Sequence, residues 1–113
     1  REQGGKPVGE YQAVQVLVAD MDSRLESARS LVYDSAVRIA DGESDTRASS
    51  RAKFTASDAA EFCARNAMQI YGGKGYRTDY PLERYYRDAR ILSIIGGTSE
   101  IQKTTVADEV LGL

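Results

Sequence analysis

Two glycine-rich breaks hold the residues of this sequence that are best suited to bind a ligand. They are Gly72-Gly73-Lys74-Gly75 and Gly96-Gly97-Thr98-Ser99. Glycine leaves the backbone uncovered, so a ligand or another chain can come close to it. If a helix begins at Thr98 or Ser99, its free amides and partial positive charge suit a phosphate or a carbonyl-rich flavin ring. The alternative is an ordinary cap between two helices.

The first break has a different character. It lacks the Lys-Ser/Thr ending of a P-loop and follows no predicted strand, so neither nucleotide-binding motif is indicated. The alternative is again structural, a helix C-cap followed by a turn. Arg84, Arg87 and Arg90, which come after it, are expected to form a charged helix face with weak surface ion pairs.

Composition excludes several classes of function. The 113 residues suit one domain, and a net charge of −2 gives no electrostatic case for binding nucleic acid or an anionic membrane. With no histidine and one cysteine, the chain forms no internal disulfide or Cys/His metal site and offers no histidine for catalysis. No apolar run approaches the ~20 residues of a membrane span. Cys63 is expected in the core rather than as a nucleophile.

Helical periodicity predicts an all-α fold, an up-and-down helical bundle. Apolar residues recur at intervals of three and four over 10–41, which predicts one long helix ended by Gly42. A stripe this long needs antiparallel partner helices to cover it. Residues 1–9 are polar and are expected to be a loop or the remnant of a tag. The stripe consists of Val14, Val18, Met21, Leu25, Ala28 and Val32.

Three further helices are predicted. The second covers 46–71 and places small residues on its buried face, which allows a close approach to a partner. The third begins at Pro81 with Asp79 as its cap, and the second glycine break ends it. The fourth begins at Thr98 or Ser99, where an S-x-x-Q pattern matches a capping box.

The order of these motifs resembles the C-terminal part of acyl-CoA dehydrogenases over essentially the whole chain. The opening segment is similar to the family pattern R-x-x-F-G-K-P-x-x-x-F-Q-x-x-Q. The resemblance implies that 1–113 is the C-terminal helical domain of a longer homotetrameric FAD flavoprotein, from which it is excised. A partner helix would then lie upstream of Arg1. The segments that carry the resemblance are Arg1–Gln15, Gln69–Tyr76, Asp79–Arg84, Arg87–Arg90 and Gly97–Gln102.

The resemblance also implies which residues contact the cofactor. Arg1 and Gln3 would lie near the pyrophosphate of a neighbouring subunit's FAD, and Gln69 and Gly73 would lie at its adenosine end. Thr98 and Glu100 would contact FAD at the glycine-rich start of the fourth helix. These cofactor-binding positions are Arg1, Gln3, Gln69, Gly73, Thr98 and Glu100.

Two departures from the family pattern affect the expected chemistry. Gly4 replaces a phenylalanine, which removes an aromatic contact near the cofactor. Gly96 stands where many members have the glutamate that removes the substrate's α-proton, so no catalytic residue is expected in this chain. Glu100 lies one helical turn away and is no substitute. In the isovaleryl and long-chain branches the base lies on the preceding helix, which here would lie upstream of Arg1.

The function that the resemblance implies is α,β-dehydrogenation of an acyl-CoA thioester in fatty acid metabolism, with FAD as cofactor and electron-transfer flavoprotein as electron acceptor. The isolated chain is expected to be inactive, because the rest of the flavin site lies outside it. A bacterial cytoplasm is favoured over a mitochondrial matrix, and no metal is expected. The alternatives are a stand-alone bundle for oligomerisation or docking, and a base-less subunit of a hetero-oligomeric dehydrogenase.

Overall fold

A computed structural model describes residues 1–113. The predicted all-α bundle is confirmed: four helices, α1 to α4, form an elongated body of 56 × 26 × 26 Å. Helix α2 is central and contacts each of the other three. None of the helices combines the length and apolar character that crossing a membrane requires. The helices are α1 (Gln12–Ala40), α2 (Thr46–Tyr71), α3 (Leu82–Leu92) and α4 (Ser99–Leu111).

The N-terminal residues form a structure that the sequence did not predict. Strands β1 (Glu2–Gln3) and β2 (Lys6–Pro7) pair antiparallel, and a 3-10 turn at Val8–Glu10 leads into α1. The expectation of a loop over 1–9 is therefore wrong. A Gly-Gly dipeptide between two extended pairs is a known hairpin signal, but strands of two residues are too short to show alternation.

The caps of α2 and α3 differ in kind. The Asp45 carboxylate accepts a hydrogen bond from the Ala48 amide at 2.8 Å and so caps α2. Asp79 was expected to cap α3 but does not: its carboxylate pairs with Arg77 at 2.9 Å. Pro81 itself is the N-cap residue of α3, without any side-chain hydrogen bond.

The core consists of small side chains. Only alanines are fully buried among the apolar residues, and they let the helices approach closely. Of the stripe predicted on α1, Ala28 is buried, whereas Val18, Leu25 and Val32 remain 49%, 46% and 39% exposed. Helix α1 packs mainly against α2, so three of the six stripe residues remain exposed. The buried alanines are Ala28, Ala48, Ala52, Ala59 and Ala89.

Candidate functional site

The N-terminal hairpin places Arg1 at the C-terminal end of α2. Its Nη1 donates to the Ile70 carbonyl at 2.9 Å, while its own carbonyl accepts from the Val8 amide at 2.9 Å. The last carbonyls of a helix lack partners within it and carry partial negative charge, so the guanidinium stabilises this end of α2. Gly72 follows with a φ of 64°, and a Cβ there would overlap the guanidinium.

The glycines of the first break have different surroundings. Gly75 is buried, and a Cβ there would lie 2.9 Å from the Met68 carbonyl oxygen. Gly72 is required by the Arg1 contact. At Gly73, by contrast, a Cβ would meet no atom within 4 Å, so a ligand can approach this backbone. Gln69, close by at the end of α2, is exposed as well.

A cleft of about 240 Å³ opens between the hairpin and this end of α2. The rings of Tyr71 and Tyr80 meet edge to face at 6.0 Å in its wall. Cationic groups beside aromatic rings suit a ligand that carries both negative charge and a flat ring. We name Arg1, Gln69, Gly73 and this cleft the hairpin surface. The cleft is lined by Arg1, Val8, Ile70, Tyr71, Lys74 and Tyr80.

Gln3 lies on exposed strand β1, two residues from Arg1, and its carbonyl accepts from the Tyr11 hydroxyl at 2.6 Å. The adjoining turn explains Gly4. Gly4 and Gly5 have φ values of 61° and 80°, as two-residue hairpin turns require. A Cβ at Gly4 would lie 2.5 Å from the Tyr11 hydroxyl oxygen. A phenylalanine at position 4 would therefore be strained by the positive φ and would displace the Tyr11 hydroxyl.

The second group of residues surrounds the start of α4. Thr98 is the N-cap, and its Oγ1 accepts from the Ile101 amide at 3.4 Å. The capping box predicted from Ser99 to Gln102 is wrong, since Ser99 is already the first helical residue. The Gln102 side chain instead donates to the Gly96 carbonyl at 3.1 Å. It thereby ties the preceding loop to the helix.

Several hydrogen-bond donors at this point have no partner in the chain. The backbone amides of Gly96, Gly97 and Thr98 donate to no group of the protein. The Ser99 hydroxyl also lacks a partner, although the residue is only 7% exposed. A buried hydroxyl without a partner costs about 1–3 kcal/mol. Sequence reasoning singled out Thr98 but missed Ser99, whose burial no local pattern reveals.

Glu100 adds an acceptor beside these donors. The pKa of its carboxyl lies below the usual range, chiefly because the carboxylate accepts from its own backbone amide, and also because the Thr98 hydroxyl donates to it. The positive end of α4 favours the same ionised form. A loop that offers free amides next to a carboxylate suits a ligand with both carbonyl and N–H or hydroxyl groups. A flavin has that mixture, so the residues fit the cofactor.

Gly96 has a left-handed backbone with a φ of 66°. The position that a Cβ at Gly96 would take lies 3.8 Å from the Cε of Lys53. A cleft of about 330 Å³ beside the loop contains further carboxylates, but these lie near cations. Asp58 lies 3.9 Å from Lys103, and Glu61 lies 3.9 Å from Arg90.

The structure thus assembles two groups of predicted residues, and it keeps the groups apart. Ile70 is the α2 residue that lies at the hairpin surface. Ser57, thirteen positions earlier on α2, marks the other group, because its hydroxyl lies 3.2 Å from the Leu92 carbonyl oxygen at the end of α3. At 1.5 Å per residue, these two points are separated by about 20 Å along α2. One chain therefore presents its predicted site residues on two separate surfaces.

Comparison with known proteins gives a consistent result. The family model "Acyl-CoA dehydrogenase, C-terminal domain" matches residues 1–111. An acyl-CoA dehydrogenase of Bacillus subtilis is 45% identical over 112 residues, covering 99% of this chain and 30% of that protein. An acryloyl-CoA reductase (NADH) of Anaerotignum propionicum is 46% identical over 111 residues, covering 98% of this chain and 28% of that protein.

Among solved structures, the butyryl-CoA dehydrogenase of Megasphaera elsdenii superposes with a TM-score of 0.95 at 40% sequence identity. The match covers 98% of this chain and 29% of that structure. The chain therefore spans less than a third of the length of the relatives that it matches.

Proposed function

We propose a function from the premise that this chain belongs to the acyl-CoA dehydrogenase family, as the C-terminal helical domain of its members. It provides two FAD-binding surfaces to a longer flavoprotein that catalyses α,β-dehydrogenation of an acyl-CoA thioester. When bound, FAD supplies the hydride acceptor for this oxidation. The single observation that carries the proposal is the set of unpaired donors at Gly96, Gly97, Thr98 and Ser99.

At the start of α4, the free amides and the Ser99 hydroxyl donate to acceptor atoms of the flavin, and Glu100 accepts from it. Thr98 fixes the helix start from which these groups project. The hairpin surface, with Arg1 and Gln3 near the pyrophosphate and Gln69 and Gly73 near the adenosine, holds the FAD of a neighbouring subunit. The separation of about 20 Å along α2 supports two cofactors rather than one.

The base that removes the α-proton comes from outside this chain in our proposal. Gly96 cannot accept a proton, and the nearest carboxylates on α2, Asp58 and Glu61, already lie close to cations. A carboxylate on a helix upstream of Arg1 is the base that we favour. If the full-length sequence has no such carboxylate, the alternative is favoured, in which this protein is the base-less subunit of a hetero-oligomer.

We further propose a homotetramer in the cytoplasm, with electron-transfer flavoprotein as redox partner. Large apolar side chains that remain exposed at the end of α3, in the following loop and on α4 support assembly. A 41% identical relative is named as a subunit of the caffeyl-CoA reductase-Etf complex of Acetobacterium woodii, which supports the redox partner. The exposed residues are Ile91, Leu92, Ile94, Ile95 and Ile101.

The test uses the full-length polypeptide that contains this chain. We expect it to purify with bound FAD, and a saturated acyl-CoA added without oxygen should bleach the flavin absorbance. Flavin that stays oxidised with acyl-CoAs of short, long and branched chains would contradict the proposal. Because the 46% identical relative is named a reductase, the same protein should also be assayed with NADH and an enoyl-CoA. The stand-alone bundle would instead purify without any flavin.

A further inference from the structure

Lys53 reaches from α2 to the end of α3. Its ammonium donates to the carbonyl of Leu92, the last residue of α3, and to the Ser57 hydroxyl oxygen at 3.2 Å. The Ser57 hydroxyl in turn donates to the Lys53 backbone carbonyl at 2.8 Å, and Ser57 is only 3% exposed. A partly buried ammonium is costly unless its donors are paired. Here they are, so the lysine has a defined position between the helices.

This contact fixes the place where α3 gives way to the loop that carries the free amides. The final carbonyls of a helix have no partner within it and carry partial negative charge, so an ammonium binds there favourably. The stem of Lys53 also runs near the loop, since its Cε lies 3.8 Å from the position that a Cβ at Gly96 would take. The lysine thus holds the start of the loop and runs close to its middle.

Other hydrogen bonds also hold the 93–98 loop. At its start, the Ile94 and Ile95 amides donate to the Ile91 carbonyl at 2.9 and 3.0 Å. The Ser99 amide donates to the Ser93 carbonyl at 3.1 Å, and Gln102 donates to the Gly96 carbonyl at 3.1 Å. The two adjacent glycines of the loop, Gly96 and Gly97, give its backbone wide conformational freedom. The bonds from Ser99 and Gln102 tie the loop to α4. Lys53, together with the Ser57 hydroxyl, which donates to the Leu92 carbonyl at 3.2 Å, ties it to the central helix α2.

We infer that Lys53 is a positioning residue for the flavin site. By binding the Leu92 carbonyl, it holds the 93–98 loop so that the amides of Gly97 and Thr98 point toward the cofactor. This inference rests on the proposed function. It requires that loss of the ammonium affects cofactor binding and loop dynamics more than it affects the fold.

The experiment compares two substitutions in the full-length flavoprotein. Lys53→Met keeps the apolar stem and removes the ammonium, and Lys53→Arg keeps a cation. FAD binding to the deflavinated protein is measured by flavin fluorescence, and backbone mobility by hydrogen exchange in peptides covering 93–102 and 69–77. Because a lost charged hydrogen bond has a large effect, Lys53→Met should weaken FAD binding about tenfold or more. Exchange should accelerate in 93–102 only, and Lys53→Arg should largely restore both readouts.

Arg38→Met is the matched control, since it removes a cation that pairs with Asp34 on α1, and it should leave both readouts unchanged. If Lys53→Met binds FAD like the wild type, or exchange rises equally in 69–77, the positioning role is wrong. If the wild type binds no FAD, the proposed function fails, and the exchange data alone decide the loop contact. Should Lys53→Met fail to fold, Lys53→Gln, which also removes the charge but keeps a polar donor, carries the same comparison.

Discussion

The Arg1 guanidinium donates a 2.9 Å hydrogen bond to the carbonyl of Ile70, 69 residues further along the chain. The contact closes the N-terminal hairpin onto the end of α2 and joins two remote segments into the hairpin surface. It also leaves no space for a side chain at Gly72. Arg1 therefore has a structural role in the folded chain in addition to its proposed contact with FAD.

Gly72→Ala should destabilise the protein by roughly 1–3 kcal/mol, because a φ of 64° is strained for any other residue and the new Cβ displaces Arg1. Urea-induced unfolding measures the change. Gly73→Ala is the matched control, since its Cβ meets open space. The control should change the unfolding free energy by less than about 0.5 kcal/mol. Equal losses in the two variants would refute the Arg1 contact.

The cap of α2 predicts a dependence on pH. The pKa of the Asp45 carboxyl is lowered, first of all because it accepts from the Ala48 amide. A lowered folded-state pKa gives stability that is complete above the unfolded value of about 3.9 and is lost as pH falls through the folded value. The wild type should therefore exceed Asp45→Asn in unfolding free energy at neutral pH, and this difference should shrink below about pH 4.

Urea titrations of both proteins between about pH 3 and pH 7 measure that difference. Asp20→Asn is the control, because this carboxylate makes no hydrogen bond or ion pair in the chain. A difference between the wild type and Asp45→Asn that stays constant over the whole range would show that the charge on the cap contributes nothing.

Cys63 should react slowly with alkylating reagents. Burial raises the pKa of its thiol, while Arg24 partly opposes the shift, and the sulfur lies 3.6 Å from the Met21 carbonyl oxygen. Only the thiolate is nucleophilic, so alkylation at pH 8 should be roughly tenfold slower in the native protein than in urea. Mass spectrometry after timed quenching gives both rates. A native rate equal to the denatured one would argue against a core position.

The isolated chain should self-associate and carry no flavin. Leu25 and Val32 line an apolar cleft of about 250 Å³ and remain 46% and 39% exposed. Contiguous exposed apolar surface favours association. Light scattering should therefore detect oligomers, and Leu25→Lys combined with Val32→Lys should shift the chain toward monomer. Val16→Lys, on a different face of α1, is the control, and a wild-type chain that is already monomeric would contradict the prediction.

Periodicity predicted the helices closely. The expected helices over 10–41 and 46–71 correspond to Gln12–Ala40 and Thr46–Tyr71, because the apolar spacing and the glycine stops are local properties of the chain. The cap at Asp79 and the capping box at Ser99 were wrong. A polar side chain near a helix start has several possible partners, and only the path of the turn decides between them.

Some residues of the candidate site were likewise predicted from the sequence, and others were found only in the structure. Sequence patterns identified the glycine-rich breaks and a helix start at Thr98 or Ser99, and the family resemblance singled out Gly73. They could not identify Ser99 or Lys53, because the significance of these residues depends on burial and on a carbonyl 39 residues away. Nor could they show that half of the α1 stripe would remain exposed, which depends on how many helices pack against it.

By itself, the sequence determined the four helices, their order and the two glycine-rich breaks, because helix formation and chain reversal depend on neighbouring residues. The tertiary structure alone decided what those breaks do. It brought Arg1 against Ile70, left the amides at 96–98 without partners and set Lys53 under the loop. These relationships arise from contacts between segments distant in sequence, which no local pattern encodes.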